Sequence, residues 1–427
     1  MGGNARPGSE KEACMLFGGS LIRPVRRPRT WTRPLLCIVL ALLGCCAQAA
    51  LAAPSAAAKA STASDEQPAD ESTLAIGFAG PLSGPSMGVG RSMRNGVQLA
   101  LDEANRRGVV IAGKHYRIKL VAQDDRADPG TAEYVARYLV GQRVIGVVGH
   151  WTSGTSLAAA PVYHAAGVIQ VTPSAMSRKL TALSYPRIFR TIPNNESIGR
   201  WSARYAVDKL GVRSVVTIDD RTPFGQGLAE QFAREVEAQG GKVLARYNVS
   251  DKTSDFNAPL MQARSLKPDL IFFGGLDWQA GVLAKSIRRL KLEARLMASA
   301  GTLGLPFLMR AGPDANGALV LEPGPPQDKM PGWRQFRQRY SEAFDSDIDL
   351  YAVFAYEAAQ SILLGLRQAG SIDPDAVARA MHRLRFEGVS GPVAFNEEGD
   401  LLNPTFTLYE VQDQRWVPVT RLYGLPR

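Results

Sequence analysis

Short apolar runs alternate with longer segments of helical spacing along most of the chain. Runs of about four to eight apolar residues indicate buried strands, and apolar positions three or four residues apart indicate amphipathic helices. The strand-like runs are Leu74–Ala79, Arg117–Gln123, Val144–Gly149, Val168–Thr172, Ser214–Asp219, Lys242–Val249, Leu270–Gly274 and Arg295–Ala298. The helical segments between them are Gly88–Asn105, Pro129–Leu139, Ser156–Ala166, Ser197–Leu210, Gly227–Ala238, Phe256–Ser265 and Gln279–Leu290. This alternation predicts an α/β protein with two successive lobes, each a Rossmann-like parallel sheet covered on both faces.

The C-terminal part of the chain is less regular than the rest. One more apolar run is followed by three helical segments and two closing strand-like runs: Gly317–Leu321, Trp333–Phe344, Tyr351–Arg367, Pro374–Leu384, Phe406–Val411 and Trp416–Val419. We therefore expect this part to return to both lobes and not to form a third domain.

The N-terminus has the pattern of an export signal. Arginines up to Arg33 precede an apolar run, Leu35–Gly44, which gives way to small residues. That run is shorter than the roughly 20 residues a membrane-spanning helix needs, so a secretory signal is favoured. Cleavage after Ala52 would make residues 1–52 the signal and residues 53–72, rich in Ala, Ser and Pro, a flexible linker. Alternatively, Leu42–Cys45 is similar to a lipoprotein box, which would leave a lipid on Cys45. Either interpretation places the protein in the periplasm.

The composition argues against nucleic-acid binding, metal binding and cofactor-dependent catalysis. The net charge is +10, but residues 1–53 carry half of it, and no basic and aromatic stripe of the nucleic-acid-binding kind follows. All four cysteines lie at or before Cys46, so cleavage after Ala52 would remove every thiol. The four histidines lack metal-binding spacing, and Met93 replaces the third glycine of a dinucleotide fingerprint. We therefore expect no metal, no cofactor, no catalytic residue and no nucleic-acid partner.

The segment after Val148 carries the strongest local chemistry. Its sequence, GHWTSGTS, joins a strand that ends near Gly149 to a helix that begins near Ser156. The first N–H groups of a helix are unpaired and carry partial positive charge, so Ser153, Gly154 and Thr155 could hold a carboxylate there. The alternative is that Ser153 or Thr155 only caps the helix.

Several motifs in order resemble one family. They are IGFAGPLSGPSMGVGRSMRNGVQLALDEAN from Ile76, the aspartates after Gln123, VVGHWTSGTSLAAAPVYHAAGVIQVTPSA from Val147, FRTIPNN from Phe189, FGQGLAEQF from Phe224, PDLIFFGG from Pro268 and FNEEGD from Phe395. Together they resemble the branched-chain amino-acid binding proteins, the periplasmic solute-binding components of ABC transporters. The resemblance implies a type I periplasmic-binding fold with a three-segment hinge. Residues 73–193 plus 322–400 would form lobe 1, and residues 194–321 plus 401–427 would form lobe 2. The crossings would lie near Pro193–Asn195, Leu321–Gly324 and Glu398–Leu402.

The resemblance also implies a ligand in the cleft between the lobes. It matches Ser153 to a carboxylate contact and places a second such contact at Ser174, Ala175 and Met176, where Met176 replaces a usual threonine hydroxyl. Aromatic candidates for the cleft are Trp151, Phe224 and Trp278, each of which could instead be ordinary lobe packing.

The expected amine contacts are neutral in this chain. Ala300 stands where amino-acid binders of this type place an acid, and Asn195 stands at another position where an acid is common. Because a buried ammonium needs a charge partner or several acceptors, these residues predict weak binding of leucine, isoleucine and valine. Asp277 could substitute, although it could equally be a helix N-cap.

These observations predict a non-enzymatic solute-binding protein that delivers its ligand to an ABC permease in the inner membrane. The ligand would be a small carboxylate or amide: amino-acid-like, aromatic or branched. The alternative is a ligand-sensing periplasmic module of a signalling system. A lipid on Cys45 would be the only contact with the membrane itself.

Overall fold

The computed structural model describes residues Ser72–Gly424, so the predicted export signal and all but the last residue of the predicted linker lie outside it. Ser72 is already part of the first strand. Lobe 1 is built on a six-stranded sheet in the order β2-β3-β1-β4-β5-β6. Its strands are β1 (Ser72–Gly80), β2 (Val109–Ile111), β3 (Lys114–Asp124), β4 (Gly146–Gly149), β5 (Ile169–Thr172) and β6 (Ile188–Arg190). All of its pairings are parallel except the antiparallel β2–β3 pair.

Helices cover both faces of this sheet. They are α1 (Met87–Arg107), α2 (Pro129–Gly141), α3 (Ser153–Ala165) and the single turn α4 (Arg178–Thr181). Helix α2 starts at Pro129, and the preceding Asp128 accepts a hydrogen bond from the N–H of Thr131 at 2.7 Å. An N-cap aspartate followed by proline at the first helical position is a strong start signal, so this boundary was predictable.

Lobe 2 follows with the same alternation. Its first elements are α5 (Asn195–Arg204), a π-helical turn (Tyr205–Lys209), β7 (Ser214–Asp219), α6 (Pro223–Ala238), β8 (Lys242–Asn248), α7 (Asn257–Leu266), β9 (Leu270–Gly274), α8 (Asp277–Arg289), β10 (Arg295–Ala298), α9 (Leu305–Ala311) and β11 (Leu319–Pro323). A short 3-10 turn, Gly312–Ala315, precedes β11.

The chain then returns to both lobes, as the sequence predicts. After a 3-10 turn at Gln327–Lys329, helices α10 (Trp333–Ala343), α11 (Leu350–Ala369) and α12 (Pro374–His382) and the hairpin of β12 (Arg385–Glu387) and β13 (Pro392–Ala394) join lobe 1. The last strands, β14 (Thr405–Gln412) and β15 (Arg415–Tyr423), complete a seven-stranded sheet of lobe 2 in the order β15-β14-β11-β10-β9-β7-β8. Both are antiparallel to their neighbours, as β2 is in lobe 1, so each of the predicted parallel sheets carries antiparallel pairing at one edge.

Four apolar layers hold the two sheets. In lobe 1, one layer packs against α1, α10 and α11, and another packs against α2 and α3. In lobe 2, one layer lies under α5 and α6 and the other under α7, α8 and α9. Strands β4 and β9 are buried along their whole length, which explains their continuous apolar sequences.

The chain passes between the two sheets three times in the described residues. The first runs from β6 to α5, the second leaves the end of β11, and the third runs from β13 to β14. Glu322 and Pro323 still pair with β14, and Leu401 still pairs with Phe395, so the second crossing begins after Pro323 and the third after Leu401. Within the described residues, no helix is long and apolar enough to span a membrane.

Candidate functional site

The parallel strands of both sheets end in loops that line one cleft, and α3 of lobe 1 contacts α6 of lobe 2 across it. Ligands of open α/β sheets bind outside the carboxyl ends of the strands, which makes this cleft the candidate site. Its lobe 1 side consists of the loops after β4 and β5. Its lobe 2 side consists of the loops after β7, β9, β10 and β11.

The loop after β4 is built by a capping box. Helix α3 begins at Ser153, three residues earlier than predicted, because Thr152 caps it. The Thr152 hydroxyl accepts from the Thr155 N–H at 3.1 Å, and the Thr155 hydroxyl accepts from the Thr152 N–H at 3.2 Å. The capping interpretation therefore applies to Thr152 and Thr155, and the Thr155 hydroxyl faces Thr152.

Ser153 is free of that cap. Its side chain is 2% exposed, and its Oγ accepts from the Ser177 N–H at 3.1 Å. A hydroxyl that accepts one hydrogen bond still has its proton to donate, so Ser153 can donate to an anion at the start of α3. Gly154, the next residue, is half-buried beside Pro129. Trp151 is also half-buried, against the core of lobe 1.

A buried chain of polar groups supports this loop. His150 is fully buried; its Nδ1 lies 2.6 Å from Oδ2 of Asp125 and its Nε2 lies 3.0 Å from the Tyr163 hydroxyl. The His150 carbonyl accepts from the hydroxyls of Ser156 and Thr172, both at 3.2 Å. These contacts fix the end of β4 relative to β5.

The loop after β5 uses most of its own polar groups. The Ser174 hydroxyl donates to the Trp151 carbonyl at 2.8 Å, so its proton is not directed at the cleft. The Ala175 N–H donates to Thr172 Oγ1 at 2.9 Å, and the Ala175 carbonyl accepts from Arg190 at 2.5 Å. Among the two predicted carboxylate contacts, Ser153 is thus the better donor.

Asn195 connects the lobes. Its N–H donates to the Met176 carbonyl at 2.7 Å, its Nδ2 donates to the Phe224 carbonyl at 3.0 Å, and its buried Oδ1 has no hydrogen-bond partner in the described part of the chain. Met176, Ala300 and the half-buried Phe224 belong to one apolar cluster that also contacts Leu350 and Tyr351. The structure therefore brings these predicted residues together as an apolar wall.

Asp277 and Trp278 lie at the start of α8. Asp277 is the first helical residue and not the N-cap, and its Oδ1 accepts from the Trp278 N–H at 2.8 Å. Burial raises the pKa of Asp277, against the opposing effects of the Trp278 N–H and of Arg310. The Arg310 guanidinium lies 6.0 Å from the centre of the Trp278 ring.

Three residues that the sequence did not single out lie beside these. Glu322, at the end of β11, is 1% exposed, and its Oε1 accepts from the N–H groups of Gly301 at 2.7 Å and Leu303 at 3.0 Å. Asp349 caps α11 by accepting from the Tyr351 N–H at 2.9 Å. Asp349 and Tyr351 keep some accessible surface although protein atoms surround both, as expected for the wall of a crevice. In the sequence, the only sign of a buried acid was the position of Glu322 inside the otherwise apolar run Leu319–Pro323.

Two surface cavities lie elsewhere. A cavity of about 520 Å³ is lined by His382, Arg385, Phe395, Asn396, Glu397 and Leu402, and one of about 360 Å³ lies on α2 and α3. Neither is lined by any of the twelve candidate residues. In the range Ser72–Gly424, no group of three or more His, Cys, Asp or Glu side chains is arranged to hold a metal ion.

Comparison with known proteins identifies the architecture. The family model described as periplasmic binding protein matches residues 73–415. The chain belongs to the periplasmic binding protein family. Membership implies a location outside the cytoplasm, and the resemblance seen in the sequence is confirmed.

Similar proteins of this family are solute-binding proteins. The leucine-, isoleucine-, valine-, threonine- and alanine-binding protein of Pseudomonas aeruginosa is 30% identical over 338 residues, which cover 79% of this chain and 90% of that protein. A branched-chain amino acid transporter substrate-binding protein of Streptococcus pneumoniae, solved with isoleucine, has a TM-score of 0.73 at 24% identity and covers 83% of this chain and 100% of its own. A solute-binding protein of an ABC transporter from R. palustris, solved with benzoate, has a TM-score of 0.70 at 23% identity over 83% of this chain and 96% of its own. These structures confirm the predicted type I periplasmic-binding fold.

Proposed function

We propose that this periplasmic binding protein is the solute-binding component of an ABC importer and holds a small carboxylate or amide between its lobes. The carboxylate would accept from the Ser153 hydroxyl and from the first N–H groups of α3. Met176, Phe224 and Ala300 would contact the apolar part of the ligand.

The observation that carries this proposal is the position of Ser153. Its buried hydroxyl has a proton to donate at the N-terminus of a helix of about four turns, where α3 contacts α6 of the other lobe. Backbone dipoles and a hydroxyl at such a place stabilise an anion without a cationic side chain. The transported ligands of the relatives, aliphatic amino acids and benzoate, share a carboxylate.

A thermal-shift series with aliphatic amino acids, benzoates, keto acids and amides tests the ligand class, because a ligand that binds only the folded state raises its melting temperature. For the tightest ligand, Ser153→Ala should weaken binding by roughly 1–3 kcal/mol in calorimetry. Ser265→Ala, at an exposed serine of α7, is the matched control and should leave affinity unchanged. Equal affinities of wild type and Ser153→Ala would contradict the assignment.

Transport is favoured over sensing by the transporter proteins among the relatives. Capture of detergent-solubilised membrane proteins on the liganded protein distinguishes the two functions. An ABC permease in the captured fraction supports transport, and a signalling receptor in its place supports sensing. Recovery of the bound ligand chemically unchanged after prolonged incubation is expected for a protein that is not an enzyme.

Release into the periplasm and attachment through Cys45 are both compatible with export. We favour release after Ala52, which gives a mature N-terminus at Ala53 and a protein in the soluble periplasmic fraction. Intact-mass measurement of the exported protein distinguishes this form from one that begins with a lipidated Cys45.

A further inference from the structure

Glu322 has one carboxylate oxygen bonded and one unused. Oε1 holds the loop after β10 by accepting from the Gly301 and Leu303 N–H groups, whereas Oε2 is buried and has no hydrogen-bond partner among the described residues. Thr302, between those two donors, is fully buried and its Oγ1 is also without a partner. A buried polar atom without a partner is unfavourable, so such atoms call for an explanation.

Among the other buried acids in the described part of the chain, Glu357 and Glu103 have a hydrogen bond or ion pair at each carboxylate oxygen. The buried Oδ2 of Asp220, like Oε2 of Glu322, has no hydrogen-bond partner there. Both oxygens of the fully buried Glu357 are bonded, to the N–H of Ser390 at 2.7 Å and to its hydroxyl at 3.0 Å. Glu103 forms an ion pair with Arg339 at 3.0 Å and accepts from the Tyr356 hydroxyl at 2.7 Å. An unused carboxylate oxygen therefore distinguishes Glu322 and Asp220 from the buried acids Glu357 and Glu103.

The surroundings of Glu322 are acidic and lie where α11 of lobe 1 approaches lobe 2. The Tyr351 hydroxyl lies 3.1 Å from the point where a Cβ on Gly301 would stand, so α11 of lobe 1 approaches the loop that Glu322 holds. Burial raises the pKa of Tyr351, and Glu322, Asp349 and Asp277 act in the same direction. Three carboxyl groups thus surround one tyrosine where the two lobes meet.

We propose that Glu322, together with Asp349 and Asp277, binds a positively charged group of the ligand, an ammonium or a guanidinium. This inference rests on the proposed function, because the carboxylate of the same ligand would lie at Ser153, and it makes the solute a zwitterion. The unused Glu322 Oε2 accepts a hydrogen bond from the cation. The negative charges of the neighbouring carboxylates stabilise the bound cation further.

The proposed cation contact comes from the end of β11, one strand away from the position after β10 where the family resemblance placed it. Ala300 follows β10 and provides no charge, but Gly301, the next residue, donates to Glu322 at the end of the adjacent strand β11. The expectation of weak amino-acid binding was based on the neutral residues at positions 195 and 300, with Asp277 as a possible substitute, and the acids Glu322 and Asp349 beside Asp277 argue against it.

The binding of a cation should release a proton. Burial raises the pKa of Glu322 to about 8, and Asp349 acts in the same direction, so at pH 7 most of the free protein carries a neutral Glu322. The titratable groups that face Glu322 are Asp349 and Tyr351 of α11 and Tyr409 of β14. Asp277 of α8 acts on Asp349, and Arg310 of α9 acts on Asp277. A ligand cation favours the ionised form, so the proton leaves to solvent as the ligand binds.

Paired ligands test the proposal on the exported protein. The pairs are leucine with 4-methylpentanoate and 4-(aminomethyl)benzoate with benzoate, in which only the first member carries an amine. The wild type should bind at least one amine-bearing member about ten- to hundredfold more tightly than its partner. If the amine-free acids bind as tightly as the amines or more tightly, the proposed function stands and the cation subsite is wrong. If no member of either pair binds but a keto acid or an amide of the thermal-shift series does, the cation subsite is wrong and the proposed function stands. If no compound of that series binds, both are wrong.

Two variants assign the effect to the side chain. Glu322→Gln keeps an oxygen to accept from Gly301 and Leu303 and should remove the preference for the amine. Glu357→Gln, at the buried glutamate with both oxygens bonded, should retain it. A preference that survives in a folded Glu322→Gln variant would overturn the assignment.

A measurement on the wild type alone covers the case in which Glu322→Gln does not fold. Calorimetry at pH 7 in phosphate and in Tris should give buffer-dependent heats for the amine-bearing ligand, equivalent to release of most of one proton. Its affinity should rise between pH 6 and pH 8. Heats and affinities that depend on neither buffer nor pH would contradict a role for Glu322 as the group that pairs with the cation.

Discussion

Arg190 joins the candidate site to the hinge. It is fully buried, and its Nε donates to Asp400 at 2.7 Å while its other nitrogens donate to the carbonyls of Ala175 and Ser177. Asp400 also accepts from Asn194 at 2.8 Å, at the first crossing between the lobes. One buried ion pair therefore fixes the loop after β5 relative to two of the three crossings.

Removal of this arginine should be costly. Arg190→Met leaves Asp400 buried without its charge partner, so we expect the free energy of unfolding to fall by about 3–5 kcal/mol in urea titrations. The matched variant Arg246→Met breaks the ion pair with Glu237, in which both side chains are about half exposed, and should cost no more than about 1 kcal/mol. Similar losses in the two variants would show that Arg190 has no special structural role.

Glu357 should make stability fall with rising pH. Burial raises its pKa to about 7 from an ordinary value of 4.5. Between these values the folded protein holds a proton that the unfolded chain has released, so this group destabilises the fold as pH rises through that window. Glu357→Gln cannot titrate. Its stability relative to wild type should therefore increase by about 2 kcal/mol from pH 5 to pH 8 in urea titrations. Glu237→Gln, at an exposed position, should follow the wild type, and a constant difference for Glu357→Gln would refute the assignment.

The sequence alone pointed to the hydroxyl of Ser153 as a hydrogen-bond donor, but it did not point to the carboxylate of Glu322. Ser153 was recognisable because a hydroxyl between a buried strand and a helix is a local signal. Glu322 was not, because a charged residue before Pro323 and Gly324 is typical of a loop, and only the pairing of β11 with β14 shows it to be buried. Its importance depends on contacts with residues far away along the chain, which one sequence does not provide.

At the scale of elements, α1 packs against α11 in lobe 1 with a close approach of their backbones. A Cβ on Gly96 would lie 2.3 Å from the Ala352 carbonyl oxygen, so only glycine allows this approach. The long helical segments that form these two helices were predictable from their apolar spacing. Strand β6 and the β12–β13 hairpin were not, because each of these strands has three residues and polar positions interrupt them.

Gly96→Ala should separate these helices. Because the nearest atom is backbone and cannot rotate away, we expect a loss of about 1–3 kcal/mol in the free energy of unfolding. Gly141→Ala is the control: it lies in α2, is exposed, and its Cβ would meet no atom within 4 Å. That variant should be more stable than wild type by about 0.4–1 kcal/mol. Equal effects at both positions would contradict the contact.

At the scale of the whole molecule, we expect closure of the two lobes to be limited by the distance between α11 and the loop after β10. Gly301 has φ +88° and a Cβ there would lie 3.1 Å from the Tyr351 hydroxyl, while Gly317 has φ +81° and free space around it. Alanine at either position has to adopt the same unfavourable backbone conformation, which costs about 1–3 kcal/mol of stability. Only at position 301 does the added methyl group also contact the other lobe. The two variants therefore separate backbone strain from contact between the lobes.

Gly301→Ala and Gly317→Ala should lose similar stability in urea but differ in function. With the tightest ligand of the thermal-shift series, Gly301→Ala should bind about three- to tenfold more weakly, because its methyl group must displace the half-buried Tyr351 side chain in the closed state. Small-angle scattering should show the ligand reducing the radius of gyration of wild type and Gly317→Ala more than that of Gly301→Ala, as hinge closure requires. If both variants bind and close like wild type, the contact between Tyr351 and Gly301 does not limit closure, and the ligand must draw the lobes together elsewhere, where α3 meets α6.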